Sequence, residues 1–365
     1  MHEYVLVLVV AAAVTYLATP FIRSIAVATG AFTAVRERDV HTTPIPRLGG
    51  VGIYLGFVAA VLVARALPYL GGLFATRQLW GVLVAGGIVC LLGAFDDIRE
   101  LDWVTKLAGQ MLAAGLMAYT GVQLLSLPIF GTTILPTPVL VLFTIVVVIA
   151  STNAVNFIDG LDGLAAGIVG IAALAFFIYS YLVSRSFQPA NVFSTATLIS
   201  AALVGCCAGF LPHNFHPARL FMGDSGALTL GLLLSAATIS LTGNVDPGLV
   251  TGNAVSAAFL PILVPLAVLL LPFLDMLLAV VRRTRAGQRP WQADAMHLHH
   301  RMLGIGHGHR RAVLILYLWA AIVALGSVSF VIWDGLRPLA VVGAAAAVGV
   351  VLTVWLPRWR PAKRL

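Results

Sequence analysis

The sequence predicts an all-α, polytopic membrane protein with about eleven transmembrane helices. Apolar residues make up 60% of the 365 positions and charged residues only 10%. Mean hydropathy is +0.99. The apolar runs also recur at about 20 residues each, the length an α-helix needs to cross hydrocarbon. Together these exclude an ordinary soluble domain.

Taken in chain order, the first expected span is 4–22. No basic region precedes it and no small-residue cleavage site follows, so it reads as a retained helix and not a removed signal peptide. Spans follow at 49–67, 79–95 and 104–120. The fifth, 138–152, has Pro136 and Pro138 at its start. Four more are expected at 165–183, 192–209, 225–241 and 254–281. Pro261, Pro265 and Pro272 predict kinks in the last of these, which neighbouring helices can tolerate. Spans at 311–333 and 338–356 complete the set. No internal repeat divides the chain, so it reads as one domain, 1–365.

Orientation follows from Lys and Arg. All 22 except Arg65, Arg77, Arg185 and Arg337 fall on one face of this arrangement. By the positive-inside tendency that face is cytoplasmic, with the N-terminus outside and the C-terminus inside. The net charge of +8 is therefore read as topology and contact with anionic headgroups, not as nucleic-acid binding. Cys90, Cys206 and Cys207 sit in apolar runs without metal-ligand spacing and read as buried structural residues.

The acids took no part in that assignment, yet it leaves only Glu3, Asp246 and Asp334 on the other face. Four polar clusters meet the cytoplasmic side. Asp96-Asp97, with Asp102 after it, ends the apolar run LVAGGIVCLLGAF. Two adjacent carboxylates repel unless a cation sits with them. Such a pair can hold Mg²⁺ or accept a proton from a reacting group, although a solvated turn would also explain it. Lys106 is one of two lysines in an arginine-rich chain and suits a phosphate contact; snorkelling at a helix end is the alternative.

The second cluster, NAVNFIDGLD, carries Asn153, Asn156, Asp159 and Asp162 at intervals of three with no counter-charge. If helical, these oxygens share one face and suit Mg²⁺ with a diphosphate, while Gly160 and Gly163 permit a sharp break. In the third, FMGD, Asp224 directly precedes an apolar run and could simply cap that helix. Asn214 and Phe221 upstream could give a planar base a polar and a stacking contact. The fourth, HLHH, places His297, His299 and His300 among arginines, Arg301 included. Without cysteine or HExxH, zinc is disfavoured and charge neutralisation on phosphoryl oxygens is the better reading. His307 and His309 in GHGHRR read as surface residues. No Walker A motif is present.

LGAFDDIRELDWVTK, NAVNFIDGLDGLAAG, NFHPARLFMGDSGALTLG and HLHHRML, in this order, resemble the polyprenyl-phosphate N-acetylhexosamine-1-phosphate transferases. HLHHRML is similar to the WecA/TagO branch, whereas the MraY branch more usually shows three consecutive histidines. The resemblance implies a reaction in which a lipid phosphate attacks the β-phosphate of a UDP-sugar. The products are lipid-diphospho-sugar, which starts a cell-envelope polysaccharide, and UMP. It implies Mg²⁺, with Mn²⁺ as a substitute, on Asn156 and Asp224. Asp96 and Asp97 would serve the lipid phosphate, one of them as base, with Lys106 holding phosphate. Asp162, Asn214 and Phe221 would contact uridine, with Asn153 nearby. His297, His299, His300 and Arg301 would cover the diphosphate or sugar, and Asp159 is a further family acid of unassigned role.

The setting implied is a bacterial plasma membrane with the site on its cytoplasmic face; a homodimer is compatible with it. One departure is Ser225 opening SGALTLG, where relatives often carry alanine or valine followed by glycine-serine. Helix packing is where that difference is expected to tell. Transfer of phospho-MurNAc-pentapeptide is the alternative within the class, and an ion-coupled transporter is the alternative outside it.

Overall fold

A computed structural model describes residues 1–32, 44–124, 135–187, 194–242, 307–333 and 335–354, together with helical positions 273, 277, 278, 280, 281, 284 and 285. Ten long α-helices account for most of them. They are α1 (His2–Thr29), α2 (Gly49–Ala66), α3 (Gln78–Ile98), α4 (Trp103–Tyr119), α5 (Thr137–Ile158), α6 (Leu164–Phe187), α7 (Thr195–Asn214), α8 (Gly223–Thr242), α9 (His309–Ile332) and α10 (Arg337–Val354). No strand occurs among the described residues, only an isolated bridge between Phe32 and Pro46. Nine of these helices are long and apolar enough to cross a membrane. The tenth, α4, has 17 residues. The protein is thus an all-α, multi-pass membrane protein, and each described helix lies over an expected span. The expected span 254–281 lies almost wholly outside the described residues.

Helix ends show why the chain breaks where it does. Gly30 closes α1 in the left-handed region at φ 72°, returning its N–H to the carbonyls of Ala26 and Val27. Asp102 caps α4, its carboxylate accepting the N–H groups of Val104 and Thr105. Pro138 sits in the first turn of α5, where no intrahelical N–H is required, so the prolines start that helix and do not interrupt it.

α8 is the centre of the bundle. Its apolar window is 94% buried, against 11% for α10, although its mean hydropathy is the lowest of the nine. Lipid is as apolar as any side chain, so burial here follows from close packing of small residues and not from hydropathy. A Cβ at Gly50 would strike the Gly226 backbone, and one at Gly93 the Ser225 backbone. α2 and α3 therefore meet α8 almost backbone to backbone. Thr229, Ser235 and Thr238 return their hydroxyls to carbonyls of the same helix, Thr229 Oγ1 to Ser225 at 2.6 Å. α3, α5 and α7 pack around α8, α1 packs on α7 and α2, and α6 and α10 both pack on α9. Cys90, Cys206 and Cys207 are buried and unbridged.

Candidate active site

Three of the four polar clusters come from helix ends that meet at one end of the bundle. α3 delivers Asp96 and Asp97 on its last turn, both buried. They face different ways and do different work. Asp96 Oδ1 accepts the N–H of Leu101 at 2.8 Å, which folds the α3–α4 turn back on itself. Its Oδ2 lies 2.7 Å from Lys106 Nζ. The same ammonium group lies 3.0 Å from Asp224 Oδ2 on α8. Lys106 is one turn into α4, which the Asp102 cap starts. Asp102 itself turns toward its own helix, where the Thr105 hydroxyl and amide hold its carboxyl below the usual range.

Asp97 caps a helix that is not its own. Its Oδ1 accepts the N–H of Asp224 at 2.9 Å, and Oδ2 accepts the Ser225 N–H at 3.2 Å and the Ser225 hydroxyl at 2.9 Å. The start of α8 thus has a carboxylate on its orphan N–H groups and on its positive dipole end. Gly223 permits the contact: it has φ +66°, and a Cβ there would collide with the Asp97 carboxylate. Because Asp97 supplies the cap, the Asp224 side chain is released toward Lys106.

The second cluster divides at Ile158, where α5 ends. Asn153 and Asn156 lie on the helix, while Asp159 and Asp162 lie in the turn beyond, so the four oxygens do not form one helical face. Asn153 Nδ2 bonds Gln110 Oε1 on α4 at 2.7 Å and the Ile149 carbonyl at 2.7 Å, tying α5 to α4. Asp159 remains partly exposed. Burial pushes its carboxyl up to about 7, with the charges of Asp224, Asp97 and Asp162 adding to the rise and Arg47 opposing it.

Two of the three residues expected at the uridine, Asp162 and Asn214, have side-chain partners within the protein. The Asp162 carboxylate accepts from His216 Nδ1 at 2.7 Å and from the Ala218 N–H at 3.0 Å. Asn214 is buried, its Oδ1 accepting the Gly163 N–H at 3.1 Å and its Nδ2 donating to the Leu220 carbonyl at 3.0 Å. It is a strut between the α5–α6 and α7–α8 loops. Phe221 is half-buried, and its N–H donates to the Pro46 carbonyl at 2.9 Å. His297, His299, His300 and Arg301 lie outside the described residues.

Sequence reasoning missed several participants. His309 is no surface residue: its Nε2 accepts the Asp162 N–H at 3.1 Å. His307 is buried as well, 2.9 Å from the Thr353 carbonyl. Both sit in a stretch, GHGHRR, whose composition is that of an exposed turn. Gln110 and His216 carried no motif signal beyond their neighbours, whereas Ser225, singled out as a departure, donates its hydroxyl to Asp97 at the start of α8.

The residues fit a hard divalent cation. Asn156 and Asp159 make no side-chain hydrogen bond among the described residues, and Asp159, Asp97 and Asp224 repel one another through space. Their donors are carboxylate and carboxamide oxygens, which suit Mg²⁺. They do not converge tightly enough for an all-protein cage. Such an ion takes one or two protein oxygens and completes its shell from phosphates and water. Among the described residues a tighter ligand grouping occurs only at Asp162, His216 and His309, within 4.8 Å of one another. There His216 Nδ1 lies 2.7 Å from Asp162 Oδ2, His309 Nε2 accepts the Asp162 N–H, and the two rings stack at 4.3 Å and 21°. That geometry is a hydrogen-bonded joint.

The glycosyl transferase family 4 pattern matches residues 79–242, from the start of α3 to the end of α8. Over 359 residues the chain is 44% identical to the decaprenyl-phosphate N-acetylglucosaminephosphotransferase of Mycolicibacterium smegmatis, covering 97% of this chain and 88% of that one. The chain belongs to glycosyl transferase family 4. The resemblance read from the four motifs is thereby met. Other members extend the comparison. The probable undecaprenyl-phosphate N-acetylglucosaminyl 1-phosphate transferase of Bacillus subtilis is 30% identical over 91% of this chain and 87% of its own length. The phospho-N-acetylmuramoyl-pentapeptide-transferase of Desulforudis audaxviator is 31% identical over 79% of this chain and 85% of its own. As a family 4 member the protein is a transferase. The matched segment includes Asp96, Asp97, Lys106, Asp159, Asp162 and Asp224 and stops before His309.

Proposed function

We propose that the protein transfers GlcNAc-1-phosphate from UDP-GlcNAc to a polyprenyl phosphate, releasing UMP, at the cytoplasmic face of a bacterial plasma membrane. The product, polyprenyl-diphospho-GlcNAc, would start a cell-envelope polysaccharide. The observation that carries this reading is Lys106. It is a cation pinned by Asp96 and Asp224, from two separate helices, with 29% of its side chain still exposed. A phosphate arriving at the bundle end meets an ammonium group already oriented, with its charge balanced from beneath. The relatives named for N-acetylglucosamine transfer cover more of this chain than the one named for the muramoyl-pentapeptide, which favours GlcNAc.

In this reaction an oxygen of the lipid phosphate bonds to the β-phosphorus while the bond from that phosphorus to the bridging oxygen breaks. UMP leaves with the bridging oxygen. Lys106 holds the acceptor phosphate, and Asp96 fixes Lys106. Asp97 acts on the reaction through α8, by holding Asp224 in place. Asn156 and Asp224 would hold Mg²⁺, or Mn²⁺ in its stead. The ion supplies charge neutralisation to the diphosphate. The loop Asp159–Gly163, with Phe221, meets the nucleotide end of the donor, and Asn153 and Asn214 keep that side rigid. By the family resemblance, His297, His299, His300 and Arg301 would serve the diphosphate or sugar. The acceptor's isoprenoid chain stays in lipid, which is why the site lies at the end of a membrane bundle.

Purified protein with undecaprenyl or decaprenyl phosphate and Mg²⁺ should release UMP from UDP-GlcNAc. Product from UDP-MurNAc-pentapeptide alone would move the protein to the other branch of the class.

A further inference from the structure

The Asp159–Gly163 loop enters the acidic cluster through Asp159 and is tied down at its far end by α9. His309 Nε2 accepts the Asp162 N–H at 3.1 Å. Two turns on, the Tyr317 hydroxyl donates to the Gly163 carbonyl. These two side chains share one face of α9 and grip neighbouring polar groups of the loop backbone. The fit is close: Gly163 has φ +78°, and a Cβ at Gly167 would run into the Tyr317 ring. His216 braces the assembly from the α7–α8 loop. Its Nδ1 lies 2.7 Å from Asp162 Oδ2, and its ring stacks on His309 at 4.3 Å. Arg310, also on α9, donates Nε–H to the His216 carbonyl at 3.1 Å.

A ring nitrogen that accepts an amide N–H carries no proton, so His309 must present a lone pair at Nε2. Phenylalanine could keep the stacking but not accept, whereas the glutamine carbonyl can accept at similar reach. This chemical demand is specific to one atom, and it acts on the loop that carries Asp159.

We propose that His309, supported by Tyr317, is a positioning residue for the nucleotide-sugar donor: α9 sets the loop Asp159–Gly163 in the conformation that receives it. The inference rests on the reading above, in which this loop faces the donor while Lys106 faces the lipid. It assigns a role to a helix beyond the segment that the family pattern matches.

The test is steady-state kinetics on the full chain in detergent or nanodiscs, varying each substrate in turn. H309A should raise KM for UDP-GlcNAc about tenfold, the scale of one lost hydrogen bond. KM for polyprenyl phosphate should stay within about twofold. H309Q should recover most of the donor KM, and H309F should not. An unchanged donor KM, an equal rise in both KM values, or H309Q no better than H309A would overturn the proposal. Should H309A fail to fold, Y317F carries the test, because it removes one hydroxyl and keeps the ring. The same donor-selective rise is expected there, and wild-type kinetics would overturn the inference. A wild-type protein that does not turn over UDP-GlcNAc defeats the functional reading itself. Wild-type turnover with insensitive variants defeats only the role of α9.

Discussion

The backbone N–H of Asp224 meets the Asp97 carboxylate at 2.9 Å, across 127 positions of sequence. This contact separates two acids that look equivalent in the chain. Asp96 engages Lys106, whereas Asp97 engages the start of α8 and leaves the Asp224 side chain to Lys106. Adjacent residues on a helix point about 100° apart, so two neighbouring carboxylates serve different partners.

Asp97→Ala should therefore act through α8. Losing a charged acceptor of three donors leaves buried N–H groups unmatched, at a cost of about 1–3 kcal/mol. The thermal midpoint should fall, and Mn²⁺ affinity, read by electron paramagnetic resonance, should fall at least about tenfold as Asp224 loses its place. Unchanged Mn²⁺ affinity with abolished turnover would instead make Asp97 a base.

Lys106→Met removes the cation between Asp96 and Asp224 and leaves two carboxylates facing each other. Turnover should drop by about 10²–10³, the scale for one oriented charge contact. Lys106→Arg should recover only part of it, since a planar fork cannot take the place of a compact ammonium between two oxygens. Initial-rate assays at saturating donor decide it.

Asp159 gives a prediction in pH. Its carboxyl is pushed up to about 7 from an ordinary value of 3.8, so the folded state holds the proton more tightly than the unfolded state. Stability attributable to this group is present at low pH and is lost as pH rises through that window. In chelator, Asp159→Asn removes the penalty, so its Tm should match or exceed wild type at pH 8. The difference should close as pH falls toward 4. Differential scanning fluorimetry across that range tests it, and a variant less stable than wild type at pH 8 would contradict the assignment.

Asp224→Asn should abolish Mg²⁺-dependent UMP release while leaving the protein folded by size-exclusion and thermal midpoint. Chelator should do the same to wild type, and excess Mg²⁺ should reverse it. Retained turnover in the variant would remove Asp224 from the metal site.

Hydropathy made the fold legible because a membrane helix must be about 20 apolar residues long whatever it packs against. Even the start of α5 at Thr137, between Pro136 and Pro138, follows from local rules. The clusters were legible too, since charge beside apolar spans is costly. What each side chain does was not. Asp97 meets Asp224, Asn214 meets Gly163 across 51 positions, and His309 meets Asp162 across 147. These pairings depend on how helix ends assemble, and no local pattern encodes them. The alternative of a cap from Asp224 gives way for the same reason: the carboxylate on the first N–H groups of α8 comes from α3. His309 was hidden by the opposite effect, a polar stretch that looks solvated and folds inward.

The central claim is GlcNAc-1-phosphate transfer to a lipid phosphate, and one assay addresses it most directly. Purified protein in nanodiscs receives polyprenyl phosphate, Mg²⁺ and UDP-GlcNAc labelled in the sugar and at the β-phosphorus. The account predicts that both labels appear together in the lipid fraction, with one UMP released per lipid product. Release of UDP, or label entering lipid only from UDP-MurNAc-pentapeptide, would contradict it.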